Sequence, residues 1–226
     1  NTGRALLNNV QGDFISNTAG KNGGAIYNDS VKGDTVTVNI DGNLLNNTAG
    51  EHGGAIYSAS DINLNANGHK NIIKGNTAGG AQEAVYMAGV PESSHEVQVP
   101  ITEQQPILDE NQQPVLDENN NPTYQEVITG YDTQTVVDPA VIPNLNLKTD
   151  NGGEWEIHDQ INGTDAHFNV NMTGGGTVSL FNDINGGNVT LDATKLNTVN
   201  NKIHTYNVNE FTVKGDSSMA VDVDIK

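Results

Sequence analysis

The sequence predicts an all-β solenoid, in which the chain winds in coils that stack along an axis. Three observations predict it. One phrase is written three times: Phe14-Ile-Ser-Asn17-Thr-Ala-Gly20 with Gly23-Gly24-Ala-Ile26-Tyr27, then Leu44-Leu-Asn-Asn47-Thr-Ala-Gly50 with Gly53-Gly54-Ala-Ile56-Tyr57, then Ile73-Lys-Gly-Asn76-Thr-Ala-Gly79 with Ala84-Val85-Tyr86. Its marker asparagines lie 30 and 29 residues apart, a period typical of stacked units that cannot bury an apolar face alone. After residue 144 the chain alternates apolar and polar residues between glycine-rich corners, and no stretch reads as a helix.

Taken in order, residues 1–13 hold the end of a preceding coil, with Ala5, Leu6 and Leu7 as a strand remnant. Within one copy, an apolar residue three before the asparagine starts a short strand. The asparagine is expected to take the left-handed turn that follows. A Gly-Gly pair bends the chain again where a Cβ would clash. Ala-Ile-Tyr is the next strand, with Ile26, Ile56 and Val85 pointing inward and stacking. A third strand, Val36-Thr-Val-Asn-Ile40 or Ile62-Asn-Leu64-Asn, closes the unit before Asp41-Gly42-Asn43 or Asn67-Gly68-His69. The expectation is three strands and three turns per coil. Asn17, Asn47 and Asn76 then bond along the stack. Tyr27, Tyr57 and Tyr86 form a ladder, which is core if it faces inward and an aromatic strip if it faces outward. Hairpins in a sandwich would explain the strands but not a corner residue at constant spacing.

Phe-x-x-Asn followed by Gly-Gly-Ala-Ile, over residues 14–86, resembles the repeat of polymorphic outer-membrane proteins and of autotransporter (type V secreted) passengers. The resemblance implies a right-handed parallel β-helix on a bacterial surface, with a role in adhesion, aggregation or host interaction and no catalysis. The stretch from Ile161 through Gly174-Gly-Gly-Thr-Val-Ser-Leu180 to Leu191 is similar to the less regular coils of such passengers.

Residues 1–90 are thus the regular coils. Composition then changes. All seven prolines fall between Pro91 and Pro143, with ten acids, one glycine (Gly130) and no Lys or Arg. Proline cannot donate to a central ladder, so 91–143 is an insertion. The third strand of the third coil resumes only at Asn144-Leu145-Asn-Leu147, which places the insertion between the second and third strands of that coil. It is expected to project from one corner as a hairpin or small β-meander; an acidic disordered linker is the alternative. It carries an octad, Pro106-Ile-Leu-Asp109-Glu110-Asn and Pro114-Val-Leu-Asp117-Glu118-Asn, with Pro122-Thr-Tyr124 opening a third. Residues 144–226 have room for two or three further, less regular coils, up to the alternating Met219-Ala-Val221-Asp-Val223-Asp-Ile225. The sequence reads as a segment of a longer protein.

The formal charge of −18 disfavours nucleic acid and anionic membranes as partners, and no cysteine is present. No signal peptide or apolar run of membrane length occurs, so this segment is not expected to insert in a bilayer. Catalytic signals are weak. Gly68-His69-Lys70 is similar to part of a galacturonase signature whose paired aspartates are missing. Gly215-Asp216-Ser217-Ser218 lacks the glycine of a serine-nucleophile loop. Asp29, Asp34, Asp41 and Asp61 stand where aspartates cap turns. The six histidines have no metal spacing. Asp109-Glu110 and Asp117-Glu118 are the calcium candidates, one octad apart, against the plainer reading of a solvated acidic surface.

The expected function is an adhesin-like stalk that presents its insertion to a protein or glycan ligand at a cell surface. Tyr124 and Tyr131 would be the aromatic anchors; Asp109, Glu110, Asp117 and Glu118 would set the charge preference. No catalytic residue, metal or cofactor is assigned, beyond that possible calcium. Two alternatives remain: a polysaccharide-processing β-helix enzyme, and a structural filament formed by self-association of exposed coil ends.

Overall fold

Among the described residues outside the insertion, strands one winding apart pair in parallel, which makes the main body a parallel β-helix. The structure is a computed structural model and describes residues 10–29, 38–164, 167–198 and 208–220. The remnant at Ala5, Leu6 and Leu7, the parts of strands around Val36, Tyr206 and Val221 to Ile225, and Arg4, Asp34 and His204 lie outside those residues.

Four sheets run along the axis. Sheet A contains Val10–Gln11, Val38–Asp41, Ile62–Asn65, Asn144–Lys148, Asn169–Thr173, Asn188–Asp192 and Glu210–Lys214. Sheet B contains Phe14–Ile15, Leu44–Leu45, Lys70–Lys74, Glu154–Ile157, Thr177–Leu180, Lys195–Thr198 and Ser218–Ala220. Sheet C is short: Thr18–Ala19, Thr48–Ala49 and Thr77–Ala78, with Ala81–Gln82 added antiparallel at its end. Sheet D contains Ile26–Asn28, Ile56–Ser58, Val85–Met87, Ile161–Gly163 and Ile184–Asn185.

The regular coils therefore have four strands, not three. The Thr-Ala pair after each marker asparagine is itself a strand, in register from Thr18 to Thr48 to Thr77. Among the described residues the later windings have no strand in sheet C. Their sheet A partners are 25, 19 and 22 residues apart (Leu145, Val170, Val189, Phe211), against 30 for Val10 and Ile40 and 24 for Val38 and Ile62. Three windings run from Asn144 to the strand at Glu210, in line with the two or three expected, and a fourth begins there.

The turn was also misassigned by one residue. Positive φ belongs to Ser16 (56°), Asn46 (56°) and Gly75 (74°), each just before its marker asparagine. The marker's amide is thereby freed to serve the stack. The Gly-Gly corner does what the repeat demanded: Gly23 and Gly53 take φ of 66° and 65°, and a Cβ on Gly24 would overlap the backbone of Gly54 in the next winding.

Alternation then sorts side chains by face. Inward columns run Val38, Ile62, Leu145, Val170 and Val189 on sheet A, and Ile26, Ile56, Val85, Ile161 and Ile184 on sheet D. All are buried, and each such side chain contributes about 1.5–3 kcal/mol by leaving water. Trp155 and Phe168 are fully buried among them. The indole of Trp155 donates to the Leu64 carbonyl at 3.2 Å, which satisfies its one polar atom.

Residues 92–139 form a second compact unit. Where the helix chain departs and resumes, Val90 and Val141 exchange both backbone hydrogen bonds (2.9 and 2.8 Å). The insertion follows the sheet D strand Val85–Met87 and precedes the sheet A strand Asn144–Lys148.

Candidate functional site

On the helix, the expected ladder residues are close together. Asn17 donates to the side chain of Asn47 and Asn47 to that of Asn76, each at 2.9 Å. The side-chain oxygens of Asn47 and Asn76 also accept the backbone amides of Asn17 and Asn47, each at 3.0 Å. The side-chain amide of Asn76 donates a hydrogen bond to Asp159, which is 1% exposed and also accepts the backbone amides of Gly75 and Asn76. Asn47 and Asn76 are buried and committed to the fold; Asn17, at the exposed end, donates into the same ladder. Nothing in the repeat pattern points to Asp159, because it lies beyond the third copy.

The tyrosines face outward. Tyr27 and Tyr57 stack with ring centroids 5.3 Å apart, Tyr57 and Tyr86 at 5.7 Å, and His52 covers Tyr86 at 4.2 Å. Because the rings stack on one another, their faces are occupied and no flat platform is left between them for a sugar. The hydroxyl of Tyr27 donates to Asp29 (2.9 Å), and that bond raises its pKa above the usual tyrosine value; burial raises that of Tyr57.

A polar cavity of ≈ 270 Å³ opens along sheet A, lined by Gln11, Asn39, Asp41, Asn65, Asn67 and Asp150. One oxygen of Asp41 is engaged by His69 Nε2 at 2.7 Å and by the Asn71 amide at 3.0 Å. On sheet B, Lys70 pairs with Glu156, which also contacts His158 at 2.6 Å. The Lys70 bond, then the His158 bond, holds the Glu156 carboxyl below its usual pKa; the same pairing raises Lys70. Among the described residues no cluster of three or more His, Asp or Glu side chains has the makings of a metal site.

The insertion is a long two-stranded ribbon, Ser93–Pro106 antiparallel to Tyr124–Asp138, with a bulge at Thr129 where Ile101 pairs with Gly130 but Thr102 with Ile128. At seven residues apart, Tyr124 and Tyr131 would sit on opposite faces of a regular strand. The bulge restores parity, so that Tyr124 (opposite Pro106), Ile128 (opposite Thr102) and Tyr131 (opposite Pro100) share one face. Both tyrosines are exposed, at 56% and 62%.

Beyond the ribbon, the two octads fold alike. Asp109 Oδ1 accepts the amides of Asn111 and Gln113, both at 2.8 Å; Asp117 Oδ1 accepts those of Asn119 and Asn121, both at 2.9 Å. Gln112 and Asn120 take the left-handed position of the two turns. The Asn121 and Asn119 amides hold the Asp117 carboxyl below its usual pKa. Each aspartate thus closes its own turn, while Glu110 and Glu118 are exposed beside them. The residues after the three prolines meet in a ring: Val115 donates to the Ile107 carbonyl (2.7 Å), Thr123 to Val115 (2.8 Å) and Ile107 to Thr123 (2.9 Å). Three hairpins radiate from it, two closed by the octad turns and the third formed by the ribbon. The octad was visible in sequence; the ring was not, since it requires the third, incomplete copy to pair back with the first.

No helix among the described residues is long and apolar enough to cross a membrane. The family model described as the Chlamydia polymorphic membrane protein repeat matches residues 12–29 and 41–59. Those two segments are the first two windings, including the marker asparagines and Gly-Gly corners. No curated protein and no solved structure matches the chain.

Proposed function

We propose that this chain is part of a bacterial surface protein of the passenger type, in which the β-helix is a non-catalytic stalk and residues 92–139 are the ligand-reading arm. The observation that carries this reading is the contrast between the two units. On the helix, polar side chains are largely spent on ladders and aromatic rings are stacked on each other. The arm leaves Tyr124, Ile128 and Tyr131 open on one face. The repeat match supports a place at the cell surface. A net charge of −18 argues against nucleic acid and favours a protein ligand with basic character.

The reading needs no cofactor. One oxygen each of Asp109 and Asp117 already holds two turn amides, and no group of three acids gathers there among the described residues, so chelation is expected to leave binding unchanged. The deciding experiment replaces 92–139 with a short turn between Val90 and Val141 and compares binding to whole host cells. Loss of binding with the helix still folded supports the arm as reader. Persistence of binding assigns recognition to the helix instead.

A polysaccharide-processing activity has one observation in its favour, the polar cavity with Asp41 and Asp150. Reducing-end release from acidic polysaccharides, abolished by Asp41→Asn with Asp150→Asn, would establish it.

A further inference from the structure

The ring at the end of the arm places three cross-strand pairs in equivalent positions. Leu108 pairs with Pro114, Leu116 with Pro122, and Tyr124 with Pro106. Directly opposed residues in an antiparallel pair project from the same side. Relative to the ring residues Ile107, Val115 and Thr123, each leucine or tyrosine is one position on, hence on the other side. Three prolines, two leucines and a tyrosine therefore form an apolar rosette on one side of the junction. It is open to solvent: Leu108 is 49% exposed, Leu116 46% and Tyr124 56%, and all three prolines are exposed. A patch of this kind with nothing packed on it marks an interaction surface.

The rim has one sign of charge. Glu110, Glu118 and Glu126 occupy one octad position, two residues beyond Leu108, Leu116 and Tyr124, and all are exposed. Asp109 and Asp117 stand beside the first two. The whole unit 92–139 contains ten acids and no Lys or Arg. A second copy would bring ten more acids against these, so like charge opposes self-docking.

We propose that this rosette is a docking surface for a protein segment that combines apolar side chains with flanking lysines or arginines: the leucines, prolines and Tyr124 take the apolar part, and Glu110, Glu118 and Glu126 the cations. The proposal rests on the arm being the ligand reader and adds the face and the partner's chemistry.

The test titrates the full chain with a short peptide of alternating lysine and leucine, and with two controls, lysine–serine and glutamate–leucine. Expected is binding of the first at least about tenfold tighter than either control, weakened by added salt. Leu108→Ser with Leu116→Ser should remove most of that advantage. Glu110→Gln with Glu118→Gln should weaken binding and flatten its salt dependence, since both aspartate caps are kept. Amide-exchange protection at Val115 and Thr123 reports whether the ring survives. If the leucine variant loses it, Tyr124→Ser, in the regular ribbon, takes its place.

Equal binding of the lysine–serine peptide would reduce the site to bare charge and overturn the proposal; equal binding of the glutamate–leucine peptide would do so by removing charge selection. So would association of the chain with itself that the leucine variant abolishes. If deletion of 92–139 abolishes cell binding but the rosette variants do not, the rosette fails and the arm reading stands. If cell binding survives the deletion, the arm reading fails and the peptide titration still decides the rosette.

Discussion

Asn76 gives its amide proton to Asp159, Asn144 to Asp61 and Asn162 to Glu83. Behind each of these lies a column of amides donating in one direction. The longest runs from Asn209 through Asn188, Asn169 and Asn144 to Asp61. An amide ladder always ends with a donor to place, and a carboxylate, which only accepts, is the natural terminus. Asp159→Ala would leave two backbone amides and a side-chain amide without their acceptor in a buried position. The expected loss is about 3 kcal/mol, with about 1 kcal/mol for Asp159→Asn, read as a lowered thermal midpoint. The Glu156–Lys70 pair gives a pH prediction. Glu156 is held below its ordinary value of 4.5, so its stabilisation is present above that value and is lost as pH falls through the lower folded value. Lys70 is held above 10.5, so its share is full below that value and is lost as pH rises through the higher folded value. Lys70→Met should abolish the alkaline contribution and reduce the acidic one, of which His158 keeps a part, in a stability–pH curve.

At the level of elements, sheets C and D show how a coil is shaped by what its neighbours stack. Tyr57 sits between Tyr27 and Tyr86, so Tyr57→Ala removes two ring contacts at once. A cost of about 1–2 kcal/mol is expected, against less for Tyr27→Ala at the end of the stack. Calorimetric melting of the two variants would rank them; equal effects would deny the stack its role. In the arm, deletion of Thr129 removes the bulge and leaves every pair on either side of it in place. Tyr124 and Tyr131, then six residues apart in a regular strand, should keep a common face, and cross-peaks between protons of the two strands should show the same pairs as in the parent; changed pairing would show that the bulge does not set the register.

For the molecule as a whole, the mutual hydrogen bonds of Val90 and Val141 make the insertion separable. A chain in which a tight turn replaces 92–139 should keep its β-sheet circular dichroism and a melting temperature within a few degrees of the parent, because the helix core contains no residue of the arm. Collapse of the helix in that variant would show that the arm is part of its stability.

Stacking period, inward columns and the composition break were readable in sequence because each depends on local alternation or on a residue repeated at fixed spacing. Asn17, Asn47 and Asn76 carry that information themselves. Other features came only with the tertiary structure: the outward direction of the tyrosine ladder, the carboxylates that accept the last amides of three ladders, the fourth strand of the regular coils, and the ring joining Ile107, Val115 and Thr123. Each depends on which distant strand a residue pairs with and in what register, and backbone hydrogen bonding is chemically the same for every candidate partner. Selection among those partners rests on packing of the assembled coils and hairpins, which exists only once the chain has folded.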